Sequence, residues 1–415
     1  MIGIGKPLHG RFASVPGREG SRANFLHETC ELLWPPAPAG AGALGTPGAH
    51  SNLIVLPNLR RPRLVVAPDR RVAAAAIRRY GEPRSATSRW GTRGLSLLMR
   101  SGIGGAVLRK RVVVRPSSAA NTIESYLSEQ LQQELRISMY LGAARANRKP
   151  VLHLFTPNGD PVGVAKIGVS PLARELVRAE RDALNAIDHA RVPSLRVPEV
   201  LRSGTWHGMP VMVLDALPTD SRRHPLSDTH RAEAMAQVAA LSDTGETALA
   251  DSGWWAGLGP RLDGARNTRA QESVLSAFRC LESKAGETTL AFGAWHGDWT
   301  PWNMAPTVDG LLVWDWERFA TGVPVGFDAL HYSLQSSITG ARRDPLTAAR
   351  ASLTGAPELL APFGIGTDAA RLTAVLYLAE LAVRHLADDQ EAAGARLGSV
   401  DRWLIPALNV GVATL

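Results

Sequence analysis

The sequence predicts an α+β fold in which an antiparallel sheet carrying one helix is followed by a mainly helical region. Three short apolar segments, RISMYLG, VLHLFT and VGVAKIG, follow one another after residue 135 and are typical of strands. A Pro-Asn-Gly-Asp turn at 157–160 separates the last two, which favours an antiparallel hairpin. The segment LARELVRAERDALNAI then has helical apolar spacing, and PVMVLDAL returns to a strand pattern.

The composition is that of a globular protein. Of the 415 residues, 45% are hydrophobic and 20% are charged, which excludes a wholly disordered or collagen-like chain. No uninterrupted apolar run reaches the roughly 18 residues of a membrane-spanning helix, and the start MIGIGKPLHGRF lacks the apolar region of a secretory signal. Cys30 and Cys280 are far apart, which disfavours a disulfide framework or a cysteine zinc site. These features predict a cytoplasmic protein with no membrane partner.

Charge divides the chain into two parts. Residues 1–120 carry 19 Lys and Arg against 5 Asp and Glu, and the remainder carries 27 against 33, which together give the net charge of +8. The Pro/Gly/Ala tract LLWPPAPAGAGALGTPGAHS predicts a flexible leader over 1–50. Residues 51–120 follow as a small basic α/β accessory domain, with strands in SNLIVLPN and PRLVVAP and a helix in RRVAAAAIRRYG that Asp69 caps.

A second unit begins at residue 121. The Asn-Thr-Ile-Glu sequence at 121–124 has the spacing of a capping box and predicts a helix to Leu135. We expect residues 121–218 to form the sheet with its helix and a connecting segment, and residues 219–415 to form the mainly helical region.

The chemistry of the chain is concentrated in the segment WHGDWTPWN at 295–303, which is followed by the apolar run LLVW and then by DWE. This arrangement places a carboxylate, Asp298, and an amide, Asn303, on one loop, and a second carboxylate, Asp315, at the end of a buried strand. Such a loop can point Asp298 at a substrate hydroxyl while Asn303 and Asp315 approach one cation. Carboxylate and amide oxygens are the ligands that Mg²⁺ prefers.

The motifs HGDWTPWN and WDWE resemble the catalytic loop and the metal-binding motif of the aminoglycoside phosphotransferase-like kinases. The resemblance implies that Asp298 is the catalytic base and that Asn303 and Asp315 bind magnesium. It also implies that His296 and Gly297 shape the catalytic loop.

The resemblance reaches further along the chain and implies a bilobal, protein-kinase-like fold. Asp328, within GFDAL, matches the family's aspartate that braces the catalytic loop through its backbone. Glu317 is a weaker candidate for a supporting acidic role.

Lys166, within VAKI, resembles the kinase strand lysine that holds the α and β phosphates of the nucleotide. Glu180 lies on the apolar face of the helix that follows, and an inward carboxylate on such a face needs a cationic partner. Lys166 is the obvious partner, whereas Glu175 shares the polar face and is a poorer candidate.

Asp215, Ala216 and Leu217 resemble the segment between kinase lobes, whose backbone groups would hydrogen-bond adenine. The chain departs from protein kinases in the turn at 141–149, which has one glycine in place of a glycine-rich loop. Phosphate cover is therefore expected from main-chain groups or from three side chains of this region, namely Ser138, Arg145 and Asn147. No A-P-E element follows the metal motif, which favours a small acceptor over a protein.

The resulting prediction is an enzyme that uses ATP and Mg²⁺ to phosphorylate a hydroxyl of a small molecule, such as an aminoglycoside, a sugar, a choline-like compound or another alcohol. One alternative is a catalytically silent kinase-like scaffold whose basic N-terminal part binds a partner. Nucleic-acid binding by the arginines of residues 51–120 is a minority hypothesis, because no helix-turn-helix, zinc-finger or RNP pattern accompanies them.

The acceptor itself is left open by the sequence. Trp254 and Trp255 fall where such kinases build their acceptor pocket, although helix packing explains them equally well. A cationic antibiotic would require an acidic pocket. Acidic residues of the C-terminal half, namely Glu380, Asp388, Asp389 and Glu391, lie mostly on a helix that Thr367 is expected to cap.

Overall fold

The computed structural model describes residues 22–36, 51–81, 86–102, 104, 108, 110–219, 221–242, 245–308 and 310–415. Two lobes follow one another along the chain, one built on a large antiparallel sheet and one mainly helical. The predicted α+β, bilobal architecture is thus confirmed.

The described strands are β1 Ser51–Leu56, β2 Leu64–Val66, β3 Arg111–Val114, β4 Arg136–Tyr140, β5 Val151–Phe155, β6 Pro161–Ile167, β7 Leu195–Arg196, β8 Val200–Trp206, β9 Met209–Asp215, β10 Glu246–Ala248, β11 Thr289–Trp295, β12 Met304–Thr307, β13 Gly310–Val313 and β14 Ala320–Pro324. The described α-helices are α1 Arg22–Leu33, α2 Arg70–Gly81, α3 Ala86–Arg100, α4 Ile123–Leu131, α5 Pro171–Ala186, α6 Asp228–Ala239, α7 Gly253–Leu258, α8 Thr268–Ala285, α9 Phe327–Gln335, α10 Pro345–Leu360, α11 Thr367–Ala387 and α12 Leu404–Thr414.

Eight strands form the sheet of the first lobe in the order β3-β1-β2-β4-β5-β6-β9-β8, and every neighbouring pair is antiparallel. The strands predicted around the hairpin are β5 and β6, with Val151 opposite Lys166. Because side chains alternate between the two faces of a strand, Ala165 enters the core of this lobe while Lys166 faces away from it. This alternation is what turns the lysine towards the second lobe.

The prediction of a flexible leader over residues 1–50 is wrong for its described part. Helix α1 buries Leu26, Cys30 and Leu33 in the same hydrophobic core as the large sheet, and Trp34 joins them. Leu26, Cys30 and Leu33 recur at helical spacing, and Leu33 and Trp34 belong to the apolar start of the quoted tract, which is why this stretch packs. The rest of the predicted leader lies outside the described residues.

The segment predicted as a separate accessory domain over 51–120 is instead an extension of the large sheet. Its predicted strands and helix are found in β1, β2 and α2, and Asp69 Oδ1 accepts hydrogen bonds from the first amides of α2. However, Leu64 lies opposite Tyr140, so β2 pairs directly with β4. An exposed sheet edge leaves backbone groups unpaired, and the added strands satisfy them.

Helix α4 is shorter than predicted. Its N-cap is Thr122, whose Oγ1 accepts a hydrogen bond from the Ser125 amide at 3.2 Å, and the helix ends at Leu131. Gln132 follows in the left-handed conformation at φ 53°, a geometry that stops a helix. The chain then turns into β4.

The helical lobe is centred on α11, which is buried along almost its whole length and packs against α8, α9, α10 and α12. Its N-cap is Gly366, so Thr367 is the first helical residue and not the predicted cap. Two small sheets, in the orders β10-β11-β14 and β12-β13-β7, lie within this lobe and carry the loops of the site.

Within the described residues, no single helix has the length and apolarity that crossing a membrane requires. The segments Pro345–Phe363 and Thr367–Ala387, which meet at a bend of 115°, would together be long and apolar enough, judged by length and composition alone.

Candidate active site

The loop between β11 and β12 is fixed by its backbone. Gly297 has φ +82°, and a Cβ at this position would collide with the carbonyl oxygen of Arg318. Asp328, in the first turn of α9, accepts hydrogen bonds from the His296 amide at 2.7 Å and the Gly297 amide at 3.1 Å. Two backbone donors of the loop are thereby tied to the helical lobe, at the position where the sequence predicted a brace.

His296 is fully buried and links this loop to the strand before Asp315. Its Nδ1 accepts a hydrogen bond from the Asp298 amide at 3.1 Å, and its Nε2 lies 3.1 Å from the Trp314 carbonyl oxygen. Burial lowers the pKa of His296 to about 4, so the ring is neutral with its proton on Nε2. The geometry fits a structural role and provides no route for His296 to carry a proton.

Both carboxylate oxygens of Asp298 are held. Oδ2 accepts a hydrogen bond from Asn303 Nδ2 at 2.8 Å, and Oδ1 lies 3.1 Å from His331 Nε2. His331 Nδ1 lies 3.0 Å from the hydroxyl of Tyr377. When the ring proton is on Nε2 and is donated to Asp298, Nδ1 accepts a hydrogen bond from this hydroxyl. The sequence motifs missed His331, although it lies three residues after Asp328 and therefore on the same face of α9.

The electrostatics of this pair favour an ionised Asp298 beside a neutral histidine. Burial by itself raises the pKa of Asp298, and the His331 hydrogen bond is the largest of the opposing effects that together leave the pKa lowered. Burial lowers the pKa of His331. The positive charge of Arg145, on the turn at 141–149, also lowers the pKa of Asp298, which places that turn near the catalytic loop.

Lys166 is the centre of an ion cluster that joins the two lobes. Its Nζ lies 2.5 Å from Glu180 Oε1 and 2.7 Å from Asp315 Oδ1. Burial lowers the pKa of Lys166, but the carboxylates of Asp315 and Glu180 outweigh this effect and raise it. Burial likewise raises the pKa of Asp315, and Lys166 reverses the shift and lowers it. The predicted pairing of Lys166 with Glu180 is present, and Asp315 completes the cluster.

A second cation, Lys149, was not singled out by sequence reasoning. Its Nζ forms an ion pair with Glu317 and lies 4.0 Å from Asp315 Oδ1, and Asn147 Nδ2 donates to Glu317 Oε1 at 2.7 Å. The turn at 141–149 is thus anchored by side chains, which explains how it can do without the glycines of a glycine-rich loop. The signal that could have identified Lys149 is the scarcity of lysine, since the chain contains five.

Ser138, predicted to help cover phosphates, lies inside β4, and its Oγ is buried without a hydrogen-bond partner among the described residues.

The segment predicted to bind adenine, residues 215–217, makes hydrogen bonds to other parts of the chain. Asp215 Oδ1 accepts a hydrogen bond from the Glu199 amide, and the Leu217 carbonyl accepts from Arg79 Nη2 at 2.8 Å. Arg79 belongs to α2, so the N-terminal extension reaches the connection between the lobes.

Asn303 and Asp315 are brought together by the β12–β13 hairpin. The Trp314 amide donates to the Asn303 carbonyl at 3.0 Å, which places Asn303 beside the residue that precedes Asp315. Carboxylate oxygens of Glu180, Asp315 and Glu317 all lie within 4.8 Å of one another. The site therefore combines a metal-capable oxygen cluster, two buried lysines and a separately held aspartate.

Comparison with known proteins gives structures of small-molecule kinases. No family model and no curated protein matches the chain. An aminoglycoside phosphotransferase, APH(4)-Ia, in complex with ADP and hygromycin B is 16% identical with a TM-score of 0.43, covering 70% of this chain and 98% of its own. Choline kinase LicA from Streptococcus pneumoniae is 14% identical with a TM-score of 0.42, covering 71% and 99%. Identities and scores this low assign no activity, so the functional proposal rests on the contacts of the site.

Proposed function

We propose that the protein transfers the γ-phosphoryl group of ATP, in the presence of Mg²⁺, to a hydroxyl of a small molecule. The observation that carries the proposal is the convergence of Lys166 from the sheet lobe, Glu180 from α5 and Asp315 from the helical lobe on one cluster. A buried lysine clamped between two carboxylates from different lobes stabilises an inter-lobe cleft and provides a cation for phosphate oxygens.

The donor set suits magnesium. Asp315 supplies carboxylate oxygens, and Asn303 directs its amide nitrogen to Asp298, which leaves its amide oxygen as the atom for a cation. Asp315 and Asn303 would therefore hold Mg²⁺. The ion would neutralise charge on the phosphate oxygens.

Asp298 is the residue for the acceptor hydroxyl. With its pKa lowered, it stays ionised and accepts a hydrogen bond from the hydroxyl, which orients the oxygen for in-line attack on the γ-phosphorus. The proton passes from the hydroxyl to the Asp298 carboxylate as the new P–O bond forms and the bond to the leaving ADP breaks. Most of the rate then comes from positioning and charge neutralisation by the chain.

ADP release in the presence of Mg²⁺ and a chemically broad panel of alcohols tests this proposal. We expect release that depends on one class of acceptor and that saturates with its concentration. Nucleotide binding without acceptor-dependent turnover on any compound would favour the silent scaffold instead.

Replacing His331 is expected to change the pH dependence of turnover. In His331→Ala the hydrogen bond that lowers the pKa of Asp298 is lost while burial remains, so the acidic limb of kcat/KM should move to higher pH. His331→Gln retains an N–H donor near the position of Nε2 and should restore the limb partly. The exposed His230 provides the control, as His230→Gln should leave the profile unchanged. Superimposable profiles for His331→Ala and the parent would refute this role of His331.

A further inference from the structure

A cavity of about 460 Å³ opens beside the catalytic loop, between α7, β14 and α11. The side chains that decide its chemistry are Trp254, Arg261, Trp295, Arg318, Glu380 and Arg384. Arg384 Nη1 donates to the carbonyl oxygen of Gly297 at 2.6 Å, and Gly297 directly precedes Asp298. Asp298 does not itself line the cavity, but its carboxylate acts to raise the pKa of Arg384 against the effect of burial, so the cavity lies close to the proposed catalytic carboxylate, where an acceptor must bind.

The wall of this cavity carries three guanidinium groups and one carboxylate. That carboxylate, Glu380, is fully used, because Arg261 binds both of its oxygens at 2.7 and 2.8 Å and Trp254 Nε1 donates to it at 3.2 Å. Asp388 lies behind the wall and pairs with Arg318. The two acidic residues at this wall, Glu380 and Asp388, are thus neutralised by arginines of the chain itself.

Of the three arginines that line the cavity, Arg384 is the one that makes no hydrogen bond to a carboxylate of the described residues. Its Nη2 lies 3.8 Å from Glu380 Oε1, which Arg261 already holds at a shorter distance. The side chain is 11% exposed and its guanidinium lies 4.7 Å from the ring centroid of Trp295. Burial lowers the pKa of Arg384, a sign that its charge is incompletely compensated. A largely buried cation whose charge is incompletely compensated is stabilised when an anion binds beside it.

Several N–H donors around the cavity are also unused. The three guanidinium groups hold more N–H donors than their present partners use, since each carries five. Trp295 Nε1 is buried and has no hydrogen-bond partner within the described part of the chain. Planar guanidinium forks match carboxylate and phosphate oxygens, so the wall is suited to an oxyanion.

We propose that the acceptor is an alcohol that carries an anionic oxyacid group, which the cavity binds through Arg384 and its neighbouring arginines. The inference rests on the proposed phosphotransfer and narrows its acceptor. Cationic aminoglycosides and choline-like alcohols are disfavoured, because they would place positive charge against a wall of guanidinium groups.

Calorimetric titration without nucleotide tests the cavity with four probes of one ring size: glucuronate, glucose 6-phosphate, glucose and glucosamine. We expect at least one anionic probe to bind about tenfold more tightly than glucose, and glucosamine to bind most weakly. Comparison of glucuronate with glucose 6-phosphate shows which oxyacid is preferred. Absence of saturable binding by both anions, or equal affinity for glucose and glucosamine, would overturn the proposal.

Variants of Arg384 test whether this side chain causes the preference for anionic over neutral probes. Arg384→Gln should abolish the discrimination between anionic and neutral probes, and Arg384→Lys should retain part of it because the charge stays. Arg371→Gln is the matched control, since Arg371 lies on the same helix and is 59% exposed. Circular dichroism establishes that each variant is folded. Unchanged discrimination in folded Arg384→Gln would contradict the assignment.

Different results would contradict the proposed phosphotransfer and the proposed anionic acceptor. Anion preference without turnover would support the cavity chemistry and count against phosphotransfer. Acceptor-dependent ADP release with neutral or cationic alcohols, but not with anionic ones, would leave phosphotransfer standing and overturn the anionic acceptor.

Discussion

Asp298→Asn is expected to lower kcat about a thousandfold, within the range of about 10² to 10⁴ that a positioned catalytic carboxylate contributes. The variant keeps a side chain of the same size, and its amide oxygen can still accept the hydrogen bond that His331 Nε2 makes at 3.1 Å. It loses the charge that orients the acceptor hydroxyl. The measurement is ADP release at saturating acceptor for the variant and the parent.

A matched control distinguishes this loss from a general effect of removing negative charge. Asp368→Asn changes an aspartate that is 97% exposed at the start of α11, and it should leave kcat unchanged. Affinity for the Mg²⁺–nucleotide complex should also be similar in Asp298→Asn and the parent. A kcat within threefold of the parent in Asp298→Asn would exclude Asp298 as the catalytic carboxylate.

Glu180→Gln is expected to destabilise the fold by about 3 kcal/mol, because removal of one partner leaves buried charge uncompensated. Glu180 is fully buried, both of its oxygens accept hydrogen bonds from Lys166, and Oε1 also accepts from the Trp316 amide at 3.2 Å. The amide of glutamine has one acceptor oxygen and cannot reproduce this set. Denaturant unfolding measures the free-energy difference.

Glu175→Gln provides the comparison on the same helix. Glu175 is exposed, so its replacement should change the free energy of unfolding by less than about 0.5 kcal/mol. Nucleotide affinity should fall in Glu180→Gln and not in Glu175→Gln, since Lys166 would lose the group that holds it. Equal unfolding free energies for the two variants would show that the buried pair does not stabilise the lobe.

Short motifs made the centre of the candidate site predictable. The loop at 295–303, Asp315 and Asp328 all lie within residues 295–328, and their proposed roles follow from the resemblance of these motifs to those of a known kinase family. Glu180 was predictable for a different reason: helix periodicity places it on the apolar face of its helix, where a carboxylate needs a cationic partner. Lys166 was the candidate partner because its strand motif resembles that of a known kinase family. These are short-range rules that a single sequence expresses.

Contacts between distant segments were not predictable in this way. His331 reaches Asp298, Lys149 reaches Glu317 and Arg79 reaches Leu217 only because the lobes pack as they do. The buried helix α1 was missed because the adjacent Pro/Gly/Ala tract dominated the composition of its region. Pairing of β2 with β4 was missed because the sequence of a short strand does not identify the strand that it pairs with.

The N-terminal extension consequently belongs to the sheet lobe. It adds three strands to the sheet and places Arg79 on the carbonyl of Leu217, in the segment expected to meet adenine. One of its arginines thus has a structural use within the chain, because Arg79 donates a hydrogen bond to the Leu217 carbonyl.

The most direct measurement of the central claim is calorimetric titration of ATP, with and without Mg²⁺, into the parent and Asp315→Asn, with Asp368→Asn as the control. Magnesium should strengthen ATP binding at least about tenfold in the parent and the control, and this enhancement should disappear in Asp315→Asn. A parent that binds ATP equally well without magnesium, or an Asp315→Asn variant that retains the enhancement, would contradict a nucleotide and metal site at the Lys166 cluster.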